Sequence, residues 1–339
     1  MRTIRQVALA LVFLLGVGLI IFPLADGMPK KTQGVDNVQN TFRDGMSVEG
    51  LKTSHDDLVT MQAMLKQLKT ETIPQLAARN NQTPEQFMVL LGAFPAVKKG
   101  LTEVDTIMPR FEAVVGTMEA QGENFRKADE IPTADVPNTA VTYTFLIPGI
   151  ILAVVGGAGL FFSIRGRRSV IPTVALGVSV AMGALLVAGT LATDQIDKTK
   201  SAEKMFNAFR PVFSEPKYQQ MHEDMQTLTA FANEMQTKAI PTLAAMSGQS
   251  ADQYTAGMAS QYQALGKGLQ ETPRILARFN GMVEDIGRNI DSFKDADSIP
   301  SADTPVSQVP WYLLIAGIGL IVIPGAALLP LGRKEEQAD

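Results

Sequence analysis

The sequence predicts an all-α membrane protein. It has four transmembrane helices and two helical-bundle extracytoplasmic domains, arranged as span, outer domain, span, twice over. Three observations predict this: four long stretches without Asp, Glu, Lys or Arg, a lopsided placement of basic residues, and a repeat at a shift of 167–168 residues. The chain has 339 residues, enough for two domains at roughly 150 residues each. Charged residues make up 19% against about 25% in an ordinary soluble domain.

The elements follow in order. A short cytoplasmic N-terminus, 1–6, leads into the first span, 7–25, and then the first extracytoplasmic helical domain, 26–143. The second span, 144–163, is joined by a basic cytoplasmic loop, 164–168, to the third span, 169–191. The second helical domain, 192–311, the fourth span, 312–331, and a cytoplasmic C-terminus, 332–339, complete the chain. Each span approaches the ~20 apolar residues needed to cross a hydrocarbon core. Tyr143, Trp311 and Tyr312 stand where the even-numbered spans begin, at a depth that aromatic rings favour.

Basic residues orient the spans. Arg2 and Arg5 precede the first, Arg165, Arg167 and Arg168 lie between the second and third, and Arg333 and Lys334 follow the fourth. The positive-inside bias puts both termini and the middle loop in the cytoplasm and the long segments outside, in a cytoplasmic (inner) membrane. Each long segment carries a net charge of −4.

The halves match in register. Phe125-x-x-Ala128-Asp129-x-Ile131-Pro132-Thr133-Ala134-Asp135-x-Pro137 aligns with Phe293-x-x-Ala296-Asp297-x-Ile299-Pro300-Ser301-Ala302-Asp303-x-Pro305. Arg110-Phe111 aligns with Arg278-Phe279, Ile73-Pro74 with Ile240-Pro241, and His55-Asp56-Asp57 with His222-Glu223-Asp224. So many ordered matches predict a tandem duplication. The repeated unit holds an even number of crossings, so both copies enter the membrane the same way up. The third span cannot be a signal peptide, which argues that its counterpart, the first, is also retained.

The outer segments show helix periodicity. Leu58, Met61, Leu65 and Leu68 form one face; Met221, Met225, Leu228, Ala232 and Met235 form another. Thr83-Pro84-Glu85-Gln86 and Ser250-Ala251-Asp252-Gln253 read as capping boxes. The last helix of each half carries a stripe, Leu101 to Met118 and Leu269 to Ile290. The Ile-Pro-(Thr/Ser)-Ala-Asp-x-Pro segment then breaks that helix into a short extended collar. Whether the copies build two cores or share one is not encoded in the pattern.

Chemistry is sparse. The two histidines, His55 and His222, fall at equivalent repeat positions, each followed by two acids. Paired across a pseudo-axis, His55, Asp56 and Asp57 could face His222, Glu223 and Asp224 as a transition-metal site or a proton switch. Acids in a solvated first helical turn are the simpler reading. Met221 and Met225 could bind a soft metal but lie on the apolar stripe. Small residues at helical spacing, namely Gly149, Ala153 and Gly157, then Gly177 with Ala181 and Ser179 with Gly183, are candidate membrane-helix packing positions.

No nucleotide, hydrolase or metalloprotease motif occurs in a suitable context, no cysteine is present, and no ionisable residue lies inside a span. The sequence therefore predicts no enzyme, no cofactor and no nucleic-acid partner. The expected partners are the lipid bilayer and other membrane-protein subunits, bound through small-residue helix faces and outer helices. The expected role is an accessory or scaffolding subunit of a cell-envelope lipid or solute transport complex. The alternatives are an extracytoplasmic ligand or pH sensor, and a lipid-binding or shuttling protein.

Overall fold

A computed structural model describes residues 2–79, 81–133, 135–165, 169–301 and 303–329. Among these the chain is almost entirely helical, with no strand. The helices of the first half are α1 (Arg2–Ala25), α2 (Met28–Phe42), α3 (Val48–Gln67), α4 (Ile73–Arg79), α5 (Pro84–Leu90), α6 (Pro95–Asp129) and α7 (Ala140–Ile164). Those of the second are α8 (Ile171–Ala192), α9 (Gln195–Phe209), α10 (Glu215–Glu234), α11 (Ile240–Met246), α12 (Ala251–Gln261), α13 (Gln263–Arg288), α14 (Ile290–Asp297) and α15 (Val309–Leu328). Four of them, α1, α7, α8 and α15, are long and apolar enough to cross a membrane. Most begin earlier than the apolar stretches alone suggest, because polar first-turn residues such as Arg2 and Thr3 continue the helix. The basic residues Arg167, Arg168, Arg333 and Lys334 lie outside the described residues.

Local chemistry explains the boundaries. Ser47 accepts from Gly50 N at 3.0 Å to start α3. Both capping boxes form, with the Thr83 and Ser250 side chains accepting from Gln86 N and Gln253 N. Positive φ at Gly27 and Asp194 turns the chain out of α1 and α8, a conformation that glycine and aspartate tolerate. A wider π-turn, Leu68–Thr72 and Met235–Ala239, stands just ahead of Pro74 and Pro241, where a proline cannot complete the regular ladder. The collar is not extended. Val136 N donates to Thr133 O, and Thr304 N to Ser301 O, so each segment closes into a tight turn. One asymmetry was not legible in the stripe: α6 runs unbroken for 35 residues, whereas its counterpart stops at Asn289 and restarts as α14.

The chain divides into two compact units, and each draws on both halves of the sequence. One comprises Met1–Asn40, Glu123–Asn207 and Asp291–Asp339. Here α1 packs on α7, α8 on α15, α7 on α8 and α1 on α15, closing a ring of four. Glycines set the close pairs. Gly183 faces the Gly317 carbonyl, and Gly317 faces that of Gly183. Gly16 and Gly149 make the same exchange between α1 and α7. Leu9, Leu152, Leu176 and Leu320 fill the centre. The collars are tied down crosswise: Lys31 Nζ donates to Ser298 O and Pro300 O, and Lys198 Nζ donates to Glu130 O, each at 3.0 Å.

The second unit, Thr41–Gly122 and Ala208–Ile290, is one shared helical core. Arg110 Nη1 donates to Asp224 Oδ1 at 2.8 Å, while Arg278 Nε donates to Asp57 Oδ2 at 2.6 Å. Phe111 and Phe279 meet with ring centroids 5.5 Å apart. Gly100 receives the Phe231 ring and Gly268 the Met64 side chain. Val97 N donates to Glu234 Oε2 at 3.0 Å, and Leu265 N donates to Gln67 Oε1 at 2.9 Å. In every case a residue from one half of the chain meets a residue from the other. The apolar stripes therefore bury each other rather than closing two separate bundles.

Candidate functional site

The proposed histidine sites do not assemble. His55 Nδ1 lies 2.8 Å from Glu119 Oε1 and His222 Nδ1 lies 3.1 Å from Glu284 Oε1, each pair within one half of the chain. Asp57 and Asp224 are buried and taken by arginines, while Asp56 and Glu223 are exposed. The two triads thus split three ways, because successive residues on a helix point to different faces. Among the described residues no group of three or more His, Cys, Asp or Glu is placed to hold a metal. Met221 and Met225 are both fully buried core residues.

The small-residue candidates also divide. Gly149, Ser179 and Gly183 are buried at helix crossings, and Ala153 and Gly157 are half-buried against α1. Ser179 Oγ donates to Ala175 O at 2.8 Å. Gly177 and Ala181 instead lie on the exposed face of α8, and a Cβ on Gly177 would meet nothing within 4 Å. Two glycines not singled out by the spacing, Gly156 and Gly159, make close contacts with Phe13 and with Leu9 and Ala175. Their signal was a glycine-rich run, which spacing rules alone do not rank.

Among the described residues, one constellation has the size and the largely apolar lining of a site for a hydrophobic or amphiphilic molecule. In the membrane-helix unit, a cavity of about 370 Å³ lies where the spans meet the collars. That is within the roughly 300–1,000 Å³ range of small-molecule sites. Its apolar wall comes from one end of the spans: Pro148 of α7, Met182, Leu185 and Leu186 of α8, and Leu313 of α15. Met28 and Val35 of α2 and Ala202, Met205 and Phe206 of α9 continue it, and Ile131, Pro132 and Ile299 of the collars close it. Leu185 is 66% exposed and Gly189 is also exposed, so the cavity reaches the outer surface of α8.

A polar arc interrupts this wall. Asp36, just outside, accepts from Asn138 N at 2.7 Å, Asn138 Nδ2 at 3.0 Å and Thr139 N at 3.1 Å. Asn138 Nδ2 also donates to Gln39 Oε1 at 2.5 Å, and Gln39 Nε2 donates to Ala128 O at 3.0 Å. On the other side Gln195 Nε2 donates to Pro132 O at 2.7 Å and to Thr193 Oγ1 at 2.9 Å. None of the lining residues is Asp, Glu, Lys, Arg or His. Sequence reasoning missed this site because its residues are scattered over seven segments and none is chemically unusual.

Comparison with known proteins finds no family model, no curated protein and no solved structure that matches the chain.

Proposed function

We propose that this chain is a non-enzymatic integral membrane protein that holds an amphiphilic molecule drawn from the bilayer. We further propose that it arose by tandem duplication and sits in a cytoplasmic membrane with both termini inside. The observation that carries the reading is the cavity at the collar end of the spans. An apolar wall reaching the lipid-facing surface of α8, with a polar arc at one side, matches a molecule that is part hydrocarbon and part headgroup. A wall without any ionisable side chain offers no general acid, base or nucleophile, which favours binding over catalysis. The reciprocal Arg–Asp and glycine pairs support duplication, since the repeat shift carries the two members of one pair onto the two members of its counterpart.

The test is native mass spectrometry of the full chain released from mild detergent. A bound lipid-sized mass should appear on the native chain and be depleted in Gly189→Phe. Gly189 lines the cavity and a Cβ there meets nothing within 4 Å, so the substitution narrows the site without breaking a helix contact. A bare chain, or the same adduct on both proteins, would overturn the reading.

One observation favours a second role, as an accessory subunit of an envelope transport complex. The exposed faces of α1, α7 and α15 are bulky, including Leu14, Ile150 and Ile315, whereas α8 exposes Gly177, Ala181, Ala184 and Ala188 beside Val174, Leu185 and Leu191. Small residues allow close helix approach. Stoichiometric co-purification with other membrane chains, weakened by Ala181→Leu, is the corresponding test.

A further inference from the structure

The cavity's polar arc has more unspent hydrogen-bond acceptors than donors. Both N–H groups of Asn138 are spent, on Asp36 and Gln39. Gln195 spends its amide nitrogen on Pro132 O and Thr193. These partners fix which amide atom is nitrogen, because a carboxylate or backbone carbonyl only accepts. The oxygens left over, Asn138 Oδ1 and Gln195 Oε1, receive no hydrogen bond among the described residues. The hydroxyls of Thr190 and Thr199 donate to Leu186 O and Gln195 O, one turn back, so they too offer only lone pairs. The wall therefore presents more unspent acceptors than donors, the donors left over being the second N–H of Gln39 and the Thr133 hydroxyl.

We infer that the ligand is an uncharged amphiphile whose polar end donates hydrogen bonds: a lipid with a free hydroxyl, such as a long-chain alcohol or a hydroxyl-headed neutral lipid. This rests on the amphiphile-holding function proposed above and names the ligand class. Two physical arguments select it. An anionic head would find no counter-charge in this largely apolar wall and would face the Asp36 carboxylate just outside it, while that carboxylate already accepts three N–H bonds and stands outside the space a cationic head would occupy. An acceptor-only head, such as an ester, could engage only those few donors and would leave the Asn138 and Gln195 oxygens unsatisfied. A hydroxyl satisfies the carbonyl oxygens while its chain lies along Met182, Leu186 and Leu313.

The experiment uses the full chain in phosphatidylcholine nanodiscs, photolabelled with hexadecanol that carries a diazirine on its chain. Unlabelled hexadecanol, methyl palmitate and palmitate are the competitors, and the labelled peptides are mapped. Each other compound forgoes the hydroxyl's hydrogen bonds and leaves a buried group unsatisfied, so hexadecanol should compete at least about tenfold better than either. Labels should fall on the segments around Pro148, Leu186 and Leu313, and Gly189→Phe should remove them. Equal competition by methyl palmitate or palmitate would overturn the hydroxyl-donor inference while leaving the amphiphile-holding function in place. Labelling that no competitor reduces and that persists in Gly189→Phe would overturn both.

Discussion

Gly183 and Gly177 lie six residues apart on α8, and the sequence marks both by small-residue spacing. The structure assigns them opposite consequences. A Cβ on Gly183 would stand 2.6 Å from Gly317 O and 2.8 Å from Leu320 Cβ. That is about 1 Å inside ordinary contact, and the nearer atom is backbone, so α8 and α15 must separate by a comparable amount. Overpacking of this kind costs about 1–3 kcal/mol. A Cβ on Gly177 meets nothing within 4 Å. Both substitutions to alanine gain the same helix propensity, about 1 kcal/mol, so their difference isolates the steric cost. Gly183→Ala should therefore be less stable than Gly177→Ala by about 1–3 kcal/mol. The assay is helix loss followed by circular dichroism as SDS is titrated into the full chain in dodecylmaltoside micelles. Gly317→Ala should behave like Gly183→Ala, since its Cβ would stand 2.8 Å from Val187 Cγ2 and 2.9 Å from Gly183 O. Equal stability of the Gly183 and Gly177 variants would refute the close α8–α15 crossing.

Further outcomes follow from the same structure. Asp57→Ala leaves the Arg278 guanidinium without its partner; Asp57 is only 7% exposed but Arg278 is 34% exposed, so the loss should be about 2–3 kcal/mol rather than the about 3–5 kcal/mol of a fully buried pair. A double-mutant cycle with Arg278→Ala should return part of it, and additive losses would deny the contact. Desolvation works to raise the Glu234 pKa, but hydrogen bonds from Val97 N and Ala96 N and the nearby Lys238 ammonium outweigh it and hold the carboxyl below its usual range. Its contribution is therefore full above about pH 4.3 and lost as pH falls through the depressed value; acid titration of Glu234→Gln should lack this part of the slope. The His55–Glu119 pair is largely exposed and the His222–Glu284 pair about half-buried, so His55→Ala and His222→Ala should each shift stability by less than about 1 kcal/mol in the same SDS titration. The chain has no cysteine, so single cysteines report topology directly. On intact cells an impermeant maleimide should label Val48→Cys and spare Val170→Cys until the membrane is opened; the reverse pattern would invert the proposed orientation.

The four membrane-length helices were legible because each apolar run of about 20 residues is long enough to cross a hydrocarbon core as a helix. The capping boxes at Thr83 and Ser250 were legible because their chemistry is local, complete within four residues. The stripe of the last helix was legible by period, and its Leu101, Val104, Met108, Phe111, Val115 and Met118 are all buried. What that stripe faces was not, because periodicity names a buried face and not its partner. Asp57 shows the limit well. Beside His55 and Asp56 it reads as part of an acidic cluster, yet its partner is Arg278, 221 residues away. The cavity has the same character: Asn138, Gln195 and Leu186 carry no mutual signal along the chain, and their relation exists only once α7, α8 and the collars are packed.

By itself, then, the sequence determined the helical class, the four membrane-length segments, the caps and the repeated motifs, all of which depend on interactions between near neighbours or on composition. Only the tertiary structure decided that the two halves share a core, that Gly183 is a crossing point while Gly177 is an outward face, and that a cavity with unspent acceptors opens at the collars. Those outcomes rest on contacts between residues far apart in the chain, where each side chain's partner is set by how the helices dock and not by the pattern along any one of them.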